Sequence, residues 1–247
     1  MMGEAKIELK KDDFVLINYE IRVKDTNELI DTNIEEIAKK EKFAREDLSY
    51  ESALVILGRN RFHKGLEEEL LKAGSAELGK EILIELPPDK AFGNKDPAKI
   101  RVINTKELAR EGIIPRVGQR IKVRENEGTV ISVSSGRAIV DFNHPLAGKT
   151  LICKLQIVKK IEDQKEKIIE LLYQRIKPIN RNEINIELSE ETVSIKFNVG
   201  VLDNINLAQA LKLGLNDIEE LFPQYNKITF IIEREKPKEL KERILNP

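Results

Sequence analysis

The sequence predicts an α+β protein built mainly on antiparallel sheet, and three observations carry that reading. The run from Phe14 to Val23 alternates apolar and polar side chains. A short helical pattern with one apolar stripe, Lys64 to Leu71, lies among the strands of the stretch that ends at Pro87-Pro88. Beyond residue 162 the order changes to helix, strand, strand, helix, strand, which marks a further α+β unit.

Taken in order, Val15, Ile17, Tyr19, Ile21 and Val23 share one face of the first strand, with Asn18, Glu20 and Arg22 opposite. Asp25 to Glu28 turns the chain, and Leu29-Ile30 resumes a short strand ending at Asp31-Thr32-Asn33. A charged helical stretch follows from about Ile34 to Asp47, then an apolar strand, Leu54 to Leu57, closed by Gly58. In the helix from Lys64, Leu66, Leu70 and Ala73 form one stripe, and Glu67 to Glu69 read as a solvated face. Ile82, Ile84 and Leu86 alternate as a strand that Pro87-Pro88 stops, because proline cannot donate to a ladder.

From Asn94 the character changes. Ile100 and Val102, a helical KELAREG and three strands near Gln119 to Arg124, Thr129 to Val133 and Arg137 to Phe142 suggest a small unit of their own. Strand spacing returns at Leu151 to Val158. A helix carrying Ile168 to Ile176 then opens the last unit, with strands Ile184 to Leu188, Val193 to Val199 and Lys227 to Ile232, a helix near Ile205 to Leu221, and a charged helical tail. The expected domains are 1–93 with 143–162, an insert at 94–142, and 163–247.

Composition excludes several function classes. The 42 Lys plus Arg against 43 Asp plus Glu give a formal charge of −1, which offers no net attraction to nucleic acid or an anionic membrane. Neither partner is expected. Cys153 is the single cysteine, so no internal disulfide exists, and with two distant histidines no metal site is expected. No apolar run reaches membrane-spanning length, so a cytoplasmic location is the default expectation. Gly148-Lys149-Thr150 ends like a phosphate-binding loop. Asn143 stands where that loop needs its first glycine, and Pro145 stiffens the cradle, so nucleotide binding is rejected. No cofactor is called for.

At Tyr19, Leu29 to Thr32, Val55 to Gly58, Lys64 to Glu67, Gly79 to Glu81, Pro87 to Gly93 and Asn143 to Leu151, the chain resembles FKBP-type peptidyl-prolyl isomerases. The long insertion between Gly93 and Asn143 looks like the SlyD-type branch, whose members carry an insert-in-flap chaperone domain. The extra unit after residue 162 looks like the archaeal long form of that branch. The resemblance implies an antiparallel half-barrel sheet wrapped on a short helix, with an inserted β-rich chaperone domain. For residues 163–247 it is weak.

By the same resemblance, Tyr19, Asp31 and Phe92 would be the catalytic members of the cleft, and Ile30, Phe62, His63, Leu66 and Cys153 its substrate-binding members. Ile30, Phe92 and Cys153 replace aromatics or a tyrosine usual in the family, which implies a looser pocket and weaker isomerase activity. The bland readings stand beside these. Tyr19 could be a core residue, Asp31 a helix cap, Phe92 a plug under the turn, Cys153 an inert small hydrophobe, and His144 a turn residue. In the insert, Ile100, Val102, Ile121 and Val123 are expected on a sticky surface, because so small a unit cannot bury all its apolar side chains; the bland reading is that they only hold the insert together.

The expected function is therefore isomerisation of X-Pro bonds in unfolded or nascent polypeptides, with the insert holding the chain. A holdase with a vestigial cleft is the alternative, and a ribosome-associated scaffold using the basic-rich tail is a third. Residues 163–247 could form a homodimer or extend a binding cradle; the sequence does not choose.

Overall fold

Alternation along the first long strand becomes burial in three dimensions. The computed structural model describes residues 6–45, 50–176 and 179–234. Strand β1 (Lys6–Glu8) precedes β2 (Phe14–Val23), β3 (Leu29–Thr32), helix α1 (Glu35–Lys40), β4 (Ala53–Ile56), α2 (Lys64–Ala73), β5 (Ser75–Glu77) and β6 (Glu81–Leu86). Then come β7 (Ile100–Asn104), α3 (Thr105–Arg110), β8 (Arg120–Val123), β9 (Asn126–Ser134) and β10 (Arg137–Asp141). The chain closes with β11 (Leu151–Ile161), α4 (Gln164–Arg175), β12 (Ile184–Leu188), β13 (Thr192–Asn198), α5 (Leu207–Leu221) and β14 (Lys227–Glu233).

The main sheet runs β3-β2-β11-β6, with β4 also paired to β2, all antiparallel. Val15, Ile17, Tyr19, Ile21 and Val23 of β2 join Leu66 and Leu70 of α2 and Cys153, Leu155 and Ile157 of β11 in one apolar cluster. The helix thus lies against the sheet's apolar face. Gly65 lets the turn after β6 pass close to the helix, since a Cβ there would collide with the Lys90 carbonyl oxygen. A two-stranded β1–β5 pair, which short polar strands conceal in the sequence, completes this part.

The opposite face of the first half of β2 is also buried, contrary to simple alternation. Phe14 belongs, with Leu54 and Ile56 of β4 and Ile161, to a second cluster whose other members come from α4, β12, β13, α5 and the segments that join them. The last unit is therefore packed against the sheet through a shared core. Its own sheet, β12-β13-β14, pairs β13 with β14 in parallel, which requires the crossover that α5 supplies.

The insert strands form a separate sheet, β7-β10-β9-β8, with a small core of Leu108, Ile121, Val123, Val130, Ala138 and Val140. Two expectations fail here: Ile121 and Val123 are 5% and 9% exposed, so they hold the insert together rather than line its surface. Both point inward from β8, whose alternate residues face out. Ile100 and Val102 are 36% and 62% exposed, joined by Ile114, Val117, Ile131 and Val133.

The helix expected to run to Asp47 stops at Lys40. Lys42 takes a left-handed φ of 56°, and the amides of Phe43 and Ala44 bond back to the Ala38 carbonyl at 2.8 and 3.0 Å. Residues 46–49 and the charged tail beyond residue 234 lie outside the described residues. Among the described residues no helix is long and apolar enough to cross a membrane.

Candidate functional site

The candidate site assembles where β2, β3 and β11 meet the start of α2 and the turn after β6. Register sets it. Ile21 pairs with Asp31 and also with Cys153, while Tyr19 pairs with Leu155, so side chains from three adjacent strands share a short stretch of one sheet.

Tyr19, 8% exposed, donates its hydroxyl to Asp31 Oδ2 at 2.9 Å. Burial, with the Asp31 carboxylate adding to it, pushes the Tyr19 hydroxyl well above the ordinary tyrosine range, so it stays a protonated donor. The helix-cap role for Asp31 is not what this geometry uses. Thr32 Oγ1 accepts from the Ile34 amide at 3.1 Å and donates to the Tyr19 carbonyl at 2.7 Å. Asn33 Oδ1 accepts from the Tyr19 amide at 2.7 Å. Asp31 is thereby left to orient the phenol.

Phe62 meets Tyr19 edge-on, with ring centroids 4.9 Å apart. The next residue, His63, stands T-shaped to Phe92 at 6.1 Å, and Phe92 stacks on His144 at 4.5 Å and 2°. The rings thus form two groups, Tyr19 with Phe62 and His63 with Phe92 and His144, joined by the Phe62–His63 peptide. Ile30 is half-buried against the same apolar cluster, and Phe92 is 38% exposed at the rim.

Leu66 and Cys153 are fully buried, so they support this surface from beneath and do not form its open lining. Burial pushes the Cys153 thiol up to about 12, which leaves it an inert apolar filler. Among the described residues, His63 Nδ1 is buried without a hydrogen-bond partner, and burial lowers the imidazole's pKa against the smaller opposing pull of Glu67. His63 is neutral at pH 7.

Glu67 overturns the expectation of a solvated acidic face, for it is wholly buried. Its carboxylate accepts the Asn60 amide at 2.8 Å and the Phe62 amide at 3.0 Å, fixing the loop that presents Phe62. Helical spacing alone cannot reveal this, because the partners are backbone amides of a preceding loop. His144 also enters the site unannounced; it lies far along the chain, and the stack depends on how β11 returns the segment before it. Its Nδ1 accepts the Leu146 amide at 3.2 Å, so the turn role expected of it holds as well.

A groove of about 460 Å³ runs outside Phe62 and His63, bounded by Gly65, Ala91 and the charged Lys64, Glu68, Asp89 and Lys90. Another groove, of about 600 Å³, lies where Glu51 and Arg181 approach Asn18 and Asn33. That one is polar, and its Arg181 is already committed to Glu51 and Glu170. It does not suit an apolar ring. Among the described residues no group of His, Cys, Asp and Glu is arranged to hold a metal ion.

Comparison with known proteins gives a consistent result. Residues 101–146 match a family model described as the FKBP26 IF domain. A short-type peptidyl-prolyl cis-trans isomerase of Methanocaldococcus jannaschii is 33% identical over 143 residues, 58% of this chain and 88% of that protein. The FKBP-type isomerase SlyD of Helicobacter pylori is 28% identical over 159 residues, 62% of this chain and 76% of its own length. An FKBP-type 16 kDa isomerase of Escherichia coli is 30% identical over 112 residues, covering 43% and 72%.

Proposed function

This chain belongs to the FKBP-type peptidyl-prolyl cis-trans isomerase family, and on that premise we propose that its aromatic cleft rotates X-Pro bonds in unfolded polypeptides. The observation that carries the reading is the Tyr19–Asp31–Phe62 arrangement, an apolar ring surface with one oriented hydroxyl above buried Leu66 and Cys153.

The barrier to X-Pro rotation, about 18–20 kcal/mol, comes from amide resonance. Resonance separates charge between nitrogen and carbonyl oxygen, so water stabilises the planar amide more than the twisted one. An apolar surface removes that preference. Each reduction of about 1.4 kcal/mol in the barrier is tenfold in rate. Tyr19, held by Asp31, and the rings of Phe62 and Phe92 would seat the proline. No bond is made or broken, so no nucleophile or general base is needed, and the neutral His63 and high-pKa Cys153 have no proton-transfer work to do.

The insert would hold the chain. Ile100, Val102, Ile114 and Ile131, exposed on a unit with its own core, offer apolar contact to unfolded segments and raise the local concentration of prolyl bonds beside the cleft. A second reading, a holdase with a weakened cleft, draws on Phe92, which carries no hydroxyl and stacks on His144.

The test is refolding of a protein limited by proline isomerisation, run with the full chain and with a variant lacking residues 97–142, beside a short proline peptide. Faster refolding by the full chain, lost on deletion while peptide turnover persists, supports both parts. Suppressed aggregation without acceleration of either substrate favours the holdase.

A further inference from the structure

The loop between β4 and α2 is held from two sides. Asn60 and Phe62 turn their amides inward to the buried Glu67 carboxylate. Arg59 and Arg61, the alternate residues, turn their guanidinium groups outward to α5 of the C-terminal unit. Arg61 Nη1 lies 2.7 Å from Asp217 Oδ1 and its Nη2 2.7 Å from Glu220 Oε2. Arg59 Nη1 lies 3.0 Å from Glu220 Oε1, while its Nε reaches Asp12 Oδ1 at 2.5 Å. Asp217 is only 6% exposed and takes a second cation, Arg175 Nε of α4, at 3.0 Å on its other oxygen.

Such a pair differs from an ordinary surface contact. The Asp217 carboxylate is out of water, so its attraction for the two guanidinium groups is little screened, and Arg61 spans two acids with both terminal nitrogens. Asn60, between the two arginines, adopts a left-handed φ of 54°. Asparagine tolerates that conformation, and its amide is held by Glu67. The residue displayed at the far end of this frame is Phe62, edge-on to Tyr19 in the cleft.

We propose that Asp217 and Glu220 of the C-terminal unit are positioning residues for the isomerase cleft, acting through Arg61 to set the place of Phe62. The proposal rests on the prolyl-isomerase reading of that cleft. It gives the C-terminal unit a part in the reaction: α5 holds Arg61, and the geometry of the substrate-facing ring depends on that hold.

The experiment uses the full chain carrying Asp217→Asn, Arg61→Met, both together, and each in a Phe62→Ala background, with kcat/KM measured on a short proline peptide. Each single change is expected to lower kcat/KM about fivefold, the pair no more than the worse single, and neither to lower it further once Phe62 is gone. A merely structural effect would persist in the Phe62→Ala background, and that result overturns the proposal, as do singles that leave kcat/KM unchanged. In parallel, fluorophenylalanine labelling with the Phe62 signal assigned by Phe62→Leu follows the ring directly. A shifted Phe62 resonance in Asp217→Asn or Arg61→Met is expected; an unmoved one contradicts the proposal. Arg61→Met alters an exposed residue and remains informative if Asp217→Asn does not fold. If the intact chain turns over no proline peptide, the isomerase reading fails, and the fluorine signal alone decides whether α5 positions Phe62.

Discussion

At the scale of single residues, the candidate site is governed by which polar groups the apolar surroundings leave satisfied. Asp31 spends an oxygen on Tyr19, Glu67 spends both on loop amides, and His63 Nδ1 has no partner among the described residues. His63 gives a signed pH prediction. Its folded pKa lies below the ordinary 6.5 because charging a buried imidazole is costly. The unfolded chain therefore binds the proton more readily, so stability is full above about 6.5 and falls as pH drops toward the folded value. Urea unfolding at successive pH values should show His63→Gln flattening that decline, and an unchanged slope would remove the assignment. Phe92→Tyr restores a hydroxyl worth roughly 0.5–1.5 kcal/mol if it bonds a bound carbonyl, a gain of about two- to tenfold in kcat/KM on a proline peptide. A loss instead would mean that the flat stack on His144 matters more than the added donor.

Secondary-structure elements were legible where one periodicity governed them. Period-2 alternation marks one apolar face of β2 from end to end, and the Leu66–Leu70 stripe marks α2, because those side chains pack into one shared cluster. Legibility failed where a side chain served a distant partner. Glu67 sits among three consecutive glutamates, and nothing in that run separates the buried one from its neighbours; only the returning loop amides do. Ile121 and Val123 looked like surplus apolar residues, but β8 directs both into the insert core. Glu67→Ala should leave the Asn60 and Phe62 amides without their carboxylate acceptor, lowering stability by about 1–3 kcal/mol and reducing peptide turnover, both measurable by denaturant unfolding and kcat/KM. Stability loss without loss of turnover would mean Phe62 does not need that loop.

Over the whole molecule, the chain joins three cores, and their connections differ. The insert core is self-contained. The C-terminal core takes Phe14, Leu54, Ile56 and Ile161 from the main sheet's side, so those residues lose their cover if the last unit is removed. The sequence predicted a separate unit after residue 162 but not this sharing, because Phe14 and Leu16 lie off the apolar face that alternation marks along β2. Truncation after Ile161 should therefore lower the unfolding midpoint of the remaining chain, whereas deleting residues 97–142 should leave it nearly unchanged; thermal unfolding compares them. The aromatic cleft itself was legible mainly through the spaced family motifs, since neither charge nor periodicity singles out Tyr19, Asp31, Phe62 and Phe92 as neighbours.

The most direct test of the account is kcat/KM for cis-trans isomerisation of a short X-Pro peptide by the full chain and by Asp31→Ala. The account predicts clear acceleration by the full chain and about a tenfold loss in the variant, the equivalent of roughly 1.4 kcal/mol, with the fold intact. Equal rates for the two proteins would contradict the assignment of the Tyr19–Asp31 cleft as the place where the prolyl bond turns.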